Sequence, residues 1–165
     1  MPQNSRDTAP PARATAADLK LLFSDLVRLE TELWDAVEAR LVADHGLTLP
    51  KFEFMQVISR IPGCRVHDIA SEISITVGGA SKIVDRIEAD GLCARRANPG
   101  DRRSSIIQLT PSGTRMLAQA MVSFEDELQR RLGAGLPDRE LLQFATTVAA
   151  LRQAMRQADT AEESA

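Results

Sequence analysis

Between residues 77 and 109 the spacing of apolar residues changes from a helical period to an alternating one. The change is centred on one tetrapeptide, Asn98-Pro99-Gly100-Asp101. Proline sets φ at one central position of such a turn and glycine permits positive φ at the next, so the segment favours a tight reversal. Leu92 to Ala97 and Ser104 to Leu109 then read as two short strands. The chain is therefore expected to be mainly α with one small β-hairpin.

Four helices precede the hairpin. Leu19, Leu22, Phe23, Leu26, Leu29, Leu33, Val37 and Leu41 recur in steps of three and four, giving a helix from Asp18 to about Asp44 that Gly46 ends. At 1.5 Å per residue that helix is roughly 40 Å long, hard to bury in so small a monomer. Pro50 opens a second helix with Phe52, Met55 and Ile58 on one face and Phe54 beside them, and Pro62-Gly63 stops it. Residues 66–73 form a third, with Ile69, Ala70 and Ile73 inward, and residues 77–90 a fourth, with Ala80, Ile83, Val84 and Ile87 inward. After the hairpin, Thr110-Pro111 starts a helix running to about Leu132. Gly133 and Gly135 break it, and Pro137 opens a last helix carrying Leu141, Leu142, Phe144, Val148, Leu151 and Met155.

Residues 1–16 hold Arg6 and Arg13 but no apolar stretch, so they read as a disordered arm and not as a secretory signal. Residues 158–165 read as a short acidic tail, which leaves 17–157 as a single domain. No apolar run reaches the roughly 18 residues of a membrane span, so a cytoplasmic protein is expected. Cys64, Cys93, His45 and His67 stand apart at no metal-ligand spacing, which gives no support for a disulfide scaffold or a zinc site. No nucleophile–base pair or phosphate-cradling glycine loop suggests an enzyme, and no cofactor is implied. Four arginines against one aspartate give residues 91–105 a local charge of +3, so the rest of the chain carries −6 of the net −3. That pattern fits a local phosphate contact or a solvated charge cluster, and charge alone does not choose.

Two short helices joined by a tight turn, followed by a hairpin with a basic tip, make a winged helix-turn-helix. The major groove of DNA, about 12 Å wide, admits one helix. A hairpin beside it can place arginine in the neighbouring minor groove. Particular residues sharpen this. The run Ile69-Ala70-Ser71-Glu72-Ile73, then Ile75-Thr76-Val77, then Ser81 through Leu92, resembles the multiple-antibiotic-resistance regulator (MarR) family. So do Arg95-Arg96, Asp101-Arg102-Arg103, Ile107, Leu109-Thr110-Pro111 and Gly113. The resemblance covers about residues 46–117, and two positions depart from it: Ser74 stands where the turn usually has glycine, and Arg65 where a third-helix threonine is common. It implies a homodimer that interlocks through residues 17–45 and 111–157, with 50–110 as the DNA-binding lobe. It implies a transcriptional regulator, usually a repressor, that binds an inverted-repeat operator in double-stranded DNA. Release by a small aromatic effector is one control the resemblance implies, and thiol oxidation is the alternative. A winged-helix protein–protein module without DNA affinity is the competing reading.

Each candidate residue has a role and a plainer alternative. Thr76 caps the recognition helix and faces a phosphate, or only caps it. Gly78 and Gly79 cost about 1 kcal/mol each relative to alanine in a helix, a cost explained by close approach to DNA or simply tolerated. Ser81 and Lys82 lie outward, placed for a base edge or phosphate. Arg86 is placed either for a phosphate or for Asp101. Arg95 and Arg96 face opposite ways along their strand, so one of the two is the phosphate contact. The family pattern pairs Arg103 with Asp101, which stiffens the wing, and leaves Arg102 to probe the groove. Asp85 and Glu88 are expected to pair with their helical neighbours Lys82 and Arg86. Trp34, His45, Phe52, Phe54, Met55 and His67 are candidate walls of an effector pocket. Cys64 and Cys93 are expected to pack as small hydrophobes and not to sense oxidants.

Overall fold

The computed structural model describes residues 13–101 and 103–163, with side chains through residue 158. Its elements are α1 (Ala16–His45), α2 (Leu49–Arg60), α3 (Val66–Ile73), α4 (Val77–Ala89), β1 (Cys93–Ala97), β2 (Ser105–Leu109), α5 (Pro111–Leu128) and α6 (Asp138–Glu163). Thr15 and Asp18 cap α1 reciprocally. The Asp18 N–H donates to Thr15 Oγ1 at 3.2 Å and the Thr15 N–H to Asp18 Oδ2 at 2.9 Å. Thr15 thus belongs to a helix cap although the composition assigns it to the arm, whose residues 1–12 lie outside the described ones. Gly46 ends α1 at φ 63°.

The core is built around α2. Leu49, Phe52, Phe54, Met55, Val57 and Ile58 are all buried, because α1, α3, α4, α5 and β2 enclose this helix. Val37 and Leu41 of α1, Ile69 of α3, Val84 and Ile87 of α4, Ile107 of β2 and Leu117 of α5 complete the cluster. The rings of Phe52 and Phe124 meet with centroids 4.9 Å apart and tilted by 37°, tying α2 to α5. β1 and β2 pair antiparallel from Cys93 opposite Leu109 to Ala97 opposite Ser105. The hairpin is fastened to the helical body where the Ile107 N–H donates to the Cys64 carbonyl at 2.7 Å.

Beyond this core the molecule is unevenly covered. The first half of α1 leaves Leu19, Leu21, Leu22, Phe23 and Val27 exposed, and α6 leaves Leu142, Phe144, Leu151 and Met155 exposed. Monomeric proteins rarely leave so many large apolar side chains exposed.

Two boundaries differ from the periodicity. The α-helical bonding of α5 stops at Leu128, and Gln129–Gly133 wind as a π turn, where the apolar pattern alone carries the helix to Leu132. Helix α6 continues through Glu163, so residues 158–163, whose acidic composition reads as a tail, extend that helix.

At the π turn the nearly buried Glu127 accepts from Arg130 Nε at 2.9 Å and from Arg131 Nε at 2.9 Å. These two guanidinium groups push its carboxyl from an ordinary 4.5 down to about 2. A carboxyl lowered in the folded state adds stability above its unfolded pKa, and that stability is lost as pH falls through the folded one. The acid limb of stability is therefore expected between about pH 4.5 and 2. Urea midpoints measured over that window should fall more steeply for the wild type than for Glu127→Gln.

Candidate nucleic-acid interface

Helices α3 and α4 meet at Ser74, which takes φ 59° and ψ 45°, the left-handed region that glycine enters more easily. The departure from glycine is thus accommodated, with the Ile75 N–H closing the turn on the Ala70 carbonyl at 3.0 Å. Arg65 cannot cap α3. Asp68 does so instead, accepting the Arg65 N–H at 2.8 Å and its Nε at 3.2 Å. The Arg65 guanidinium is exposed and close enough to Asp101 in the wing to help lower that carboxyl. Sequence reasoning missed this cation as a site residue, since its place beside the wing depends on a contact made across the fold.

Thr76 caps α4, its Oγ1 accepting the Gly79 N–H at 3.2 Å. A Cβ at Gly79 would sit 3.2 Å from that oxygen, whereas one at Gly78 would meet nothing within 4 Å. The protein's own packing therefore gives no reason for glycine at 78. Thr76, Val77 and Gly78 are exposed, so the N-terminus of α4 is open to an anion. One turn on, Ser81 is half-buried and Lys82 is exposed, and Arg86 is exposed a turn later. Lys82 and Arg86 make no ion pair among the described residues.

The carboxylates on α4 look elsewhere. Asp85 and Glu88 do not pair with Lys82 and Arg86. Both bind Arg95 of β1, Asp85 Oδ1 accepting Nη2 at 2.6 Å and Glu88 accepting Nη1 and, at 2.9 Å, the Arg95 N–H. The cause is the register of the hairpin. Arg95 lies opposite Ile107, and cross-strand partners share a face. Ile107 points into the core, so Arg95 points inward toward α4 and is half-buried. Arg96, one residue on, is exposed on the other face.

The wing tip is held by its own backbone. The Arg103 N–H donates to Asp101 Oδ1 at 2.9 Å, the Gly100 N–H to Asn98 Oδ1 at 3.0 Å, and Asn98 Nδ2 to Ser104 Oγ at 2.9 Å. The Arg103 amide and the Ser104 hydroxyl hold the Asp101 carboxyl below the usual range. Asp101 thus organises the turn through the Arg103 amide, and the Arg103 guanidinium remains exposed and in no ion pair with it. Nor does Arg86 pair with Asp101. Arg102 lies outside the described residues.

A helix with an open N-terminus and an arginine-bearing hairpin are thus joined directly to one another. The family model described as MarR family matches residues 47–105, from the start of α2 into β2. The transcriptional repressor CouR, in a structure bound to a 23-mer DNA duplex, is 30% identical, and the match covers 83% of this chain and 99% of that one at a TM-score of 0.67. The chain belongs to the MarR family. A second relative of this MarR-family chain is the putative transcriptional regulatory protein for the hcr operon of Thauera aromatica, 30% identical over 90 residues. That match spans 53% of this chain and 54% of the relative, about half its length. CouR of Rhodococcus jostii RHA1 bound to p-coumaroyl-CoA is matched over 85% of this chain and 95% of that one, at 23% identity and a TM-score of 0.68. Sco3205 of Streptomyces coelicolor, solved in complex with DNA, shares the fold at 20% identity and a TM-score of 0.76, over 87% of this chain and 91% of that one.

In this MarR-family chain the candidate pocket residues do not gather. Phe52, Phe54 and Met55 are sealed in the core because α1, α3, α4, α5 and β2 pack against α2. His67 is exposed on α3. His45 is tied to α5. Ser123 Oγ donates to Asp44 Oδ2 at 2.7 Å, which leaves His45 Nε2 as the donor in its 2.9 Å contact with the same hydroxyl. Trp34 does line an open apolar groove of about 360 Å³ with Leu29, Leu33, Leu49, Phe124 and Phe144. Its polar lining among the described residues is two carboxylates, Glu30 and Glu53, and no cation. Leu49, Phe124 and Phe144 were legible only as core or surface positions.

Both cysteines are buried, and burial raises their thiols to about 11. A thiolate is the reacting species, so neither is poised for oxidation. A thiol reagent at pH 7.5 is expected to label fewer than about 5% of sites within minutes in the native protein, and both after denaturation. Rapid native labelling of Cys64 or Cys93 would overturn that assignment.

Proposed function

We propose that this chain is a homodimeric, sequence-specific DNA-binding transcriptional regulator, a cytoplasmic repressor that a small aromatic effector releases from its operator. The observation that carries the reading is the direct fastening of the wing to α4, which presents two DNA-sized elements side by side. In it, the N-terminus of α4 enters a major groove with Thr76, Gly78, Gly79, Ser81 and Lys82 toward the duplex, and Arg86 reaches a phosphate. Arg96, Arg102 and Arg103 serve the wing, Arg102 and Arg103 in the flanking minor groove. The duplex-bound form of CouR supports the DNA partner and its p-coumaroyl-CoA complex supports an aromatic effector. The exposed apolar stripes of α1 and α6 support the dimer. The groove beside Trp34 supports an effector whose aromatic portion is uncharged, since Glu30 and Glu53 would repel a carboxylate placed there.

The test is selection of duplex fragments from the source genome at low salt, followed by effector screening on the selected operator. Trp34 is the chain's one tryptophan, so its fluorescence reads the groove alone. The expected result is retention of an inverted repeat by a dimer, with an aromatic that quenches Trp34 also releasing the DNA. Retention of no fragment would favour the protein–protein module instead.

A further inference from the structure

We propose that Arg95, with Asp85 and Glu88, is a positioning clasp that fixes the wing against the recognition helix, and that Arg95 touches no DNA. The inference rests on the DNA-binding reading above and assigns its residues a different job from the exposed arginines. Arg95 is half-buried, and its guanidinium is spent on two carboxylates one turn apart on α4. Glu88 also takes the Arg95 backbone N–H at 2.9 Å, so the clasp holds strand β1 itself and not only a side chain. A two-stranded hairpin is at best marginally stable alone, so its direction must come from what it is tied to. β2 is tied to the Cys64 carbonyl through Ile107, and Leu92 at the base of β1 is tied to Thr110 at 3.0 Å. Between those anchors, α4 and β1 are joined by the Arg95 contacts and, at the base of the strand, by the weak 3.8 Å hydrogen bond from Cys93 Sγ to the Val84 carbonyl. Removing them frees the wing to swing relative to α4 while leaving both elements folded.

The clasp also accounts for two acids on a helix that faces a polyanion. Asp85 and Glu88 would repel phosphates if unpaired, and Arg95 neutralises part of their charge while they aim the wing. This gives a test in which the sign of the effect decides. Deleting a negative charge beside DNA ordinarily strengthens binding through the phosphate term. The clasp requires the reverse for Glu88→Gln on the selected operator: affinity about tenfold weaker, with affinity for a random duplex at the same salt unchanged or tighter. Arg95→Lys keeps the charge but loses the two-pronged donor, and it too is expected to weaken operator binding about tenfold. Asp85→Asn serves as the milder variant should Glu88→Gln melt below the assay temperature. Operator binding by Glu88→Gln or Asp85→Asn as tight as the wild type or tighter would overturn the clasp. So would a neutral Arg95→Lys combined with a salt slope lowered by about 0.9 in Arg95→Ala, the signature of a direct phosphate contact. Failure of the wild type to bind any duplex would instead overturn the DNA-binding reading, so the two failures are separable.

Discussion

Arg102→Ala combined with Arg103→Ala is expected to weaken operator binding by about two orders of magnitude, each arginine contact contributing roughly 1–3 kcal/mol. If both meet phosphate, the slope of log affinity against log salt should become shallower by about 1.8. The build of the wing tip keeps the Arg103 side chain out of its own bonding. Asp101 accepts the backbone N–H of Arg103, and Asn98 and Ser104 close the rest of the turn. Alanine at 103 keeps every one of those bonds, so that substitution removes its cation without removing the hairpin. The same affinity measured from 50 to 200 mM salt separates this outcome from a misfolded wing, which would also lower the melting temperature. Unchanged affinity and slope would remove the wing from the DNA interface.

Gly113→Ala is expected to have the largest effect on stability, about 3 kcal/mol lost or more. A Cβ there would lie 1.9 Å from the carbonyl oxygen of Leu92, and no side-chain rotation relieves a clash with backbone. That carbonyl is already engaged by the Thr110 N–H at 3.0 Å. Thr110 Oγ1 donates to the Gly91 carbonyl at 2.7 Å and caps the Gly113 N–H at 3.0 Å. Making room therefore means opening the joint where α4, β1 and α5 meet. A fall in melting temperature of roughly 6–12 °C follows for a chain of this size. Ser112→Ala, an exposed neighbour, should stay within about 0.5 kcal/mol of wild type. A melt of Gly113→Ala indistinguishable from wild type would mean that the joint yields to a methyl group at no cost.

The helices and the wing were legible because each rests on short-range patterning. Steps of three and four expose α1 to α6, and Asn98-Pro99-Gly100-Asp101 announces the hairpin. What stayed hidden depends on pairing across the fold. Alternation says that Arg95 and Arg96 oppose each other, but only the register that sets Arg95 against Ile107 says which faces inward. Asp85 and Glu88 have cations at helical spacing, yet a guanidinium from β1 outcompetes them because it meets both carboxylates at once. Phe52, Phe54 and Met55 look like pocket walls when α2 is imagined with one covered side, and the packing of α1, α3, α4, α5 and β2 against that helix makes them core. The π turn at Gln129–Gly133 left no mark in an apolar period that runs straight through it.

Hydroxyl-radical and groove-specific footprinting of the selected operator tests most directly whether α4 and the wing touch one duplex. The account predicts, in each half-site, a protected major-groove segment with a protected minor groove flanking it. The pair should repeat about one helical turn, roughly 34 Å, away on the same face of the DNA. Protection confined to a single groove, or none at all under conditions where the protein is bound, would contradict it.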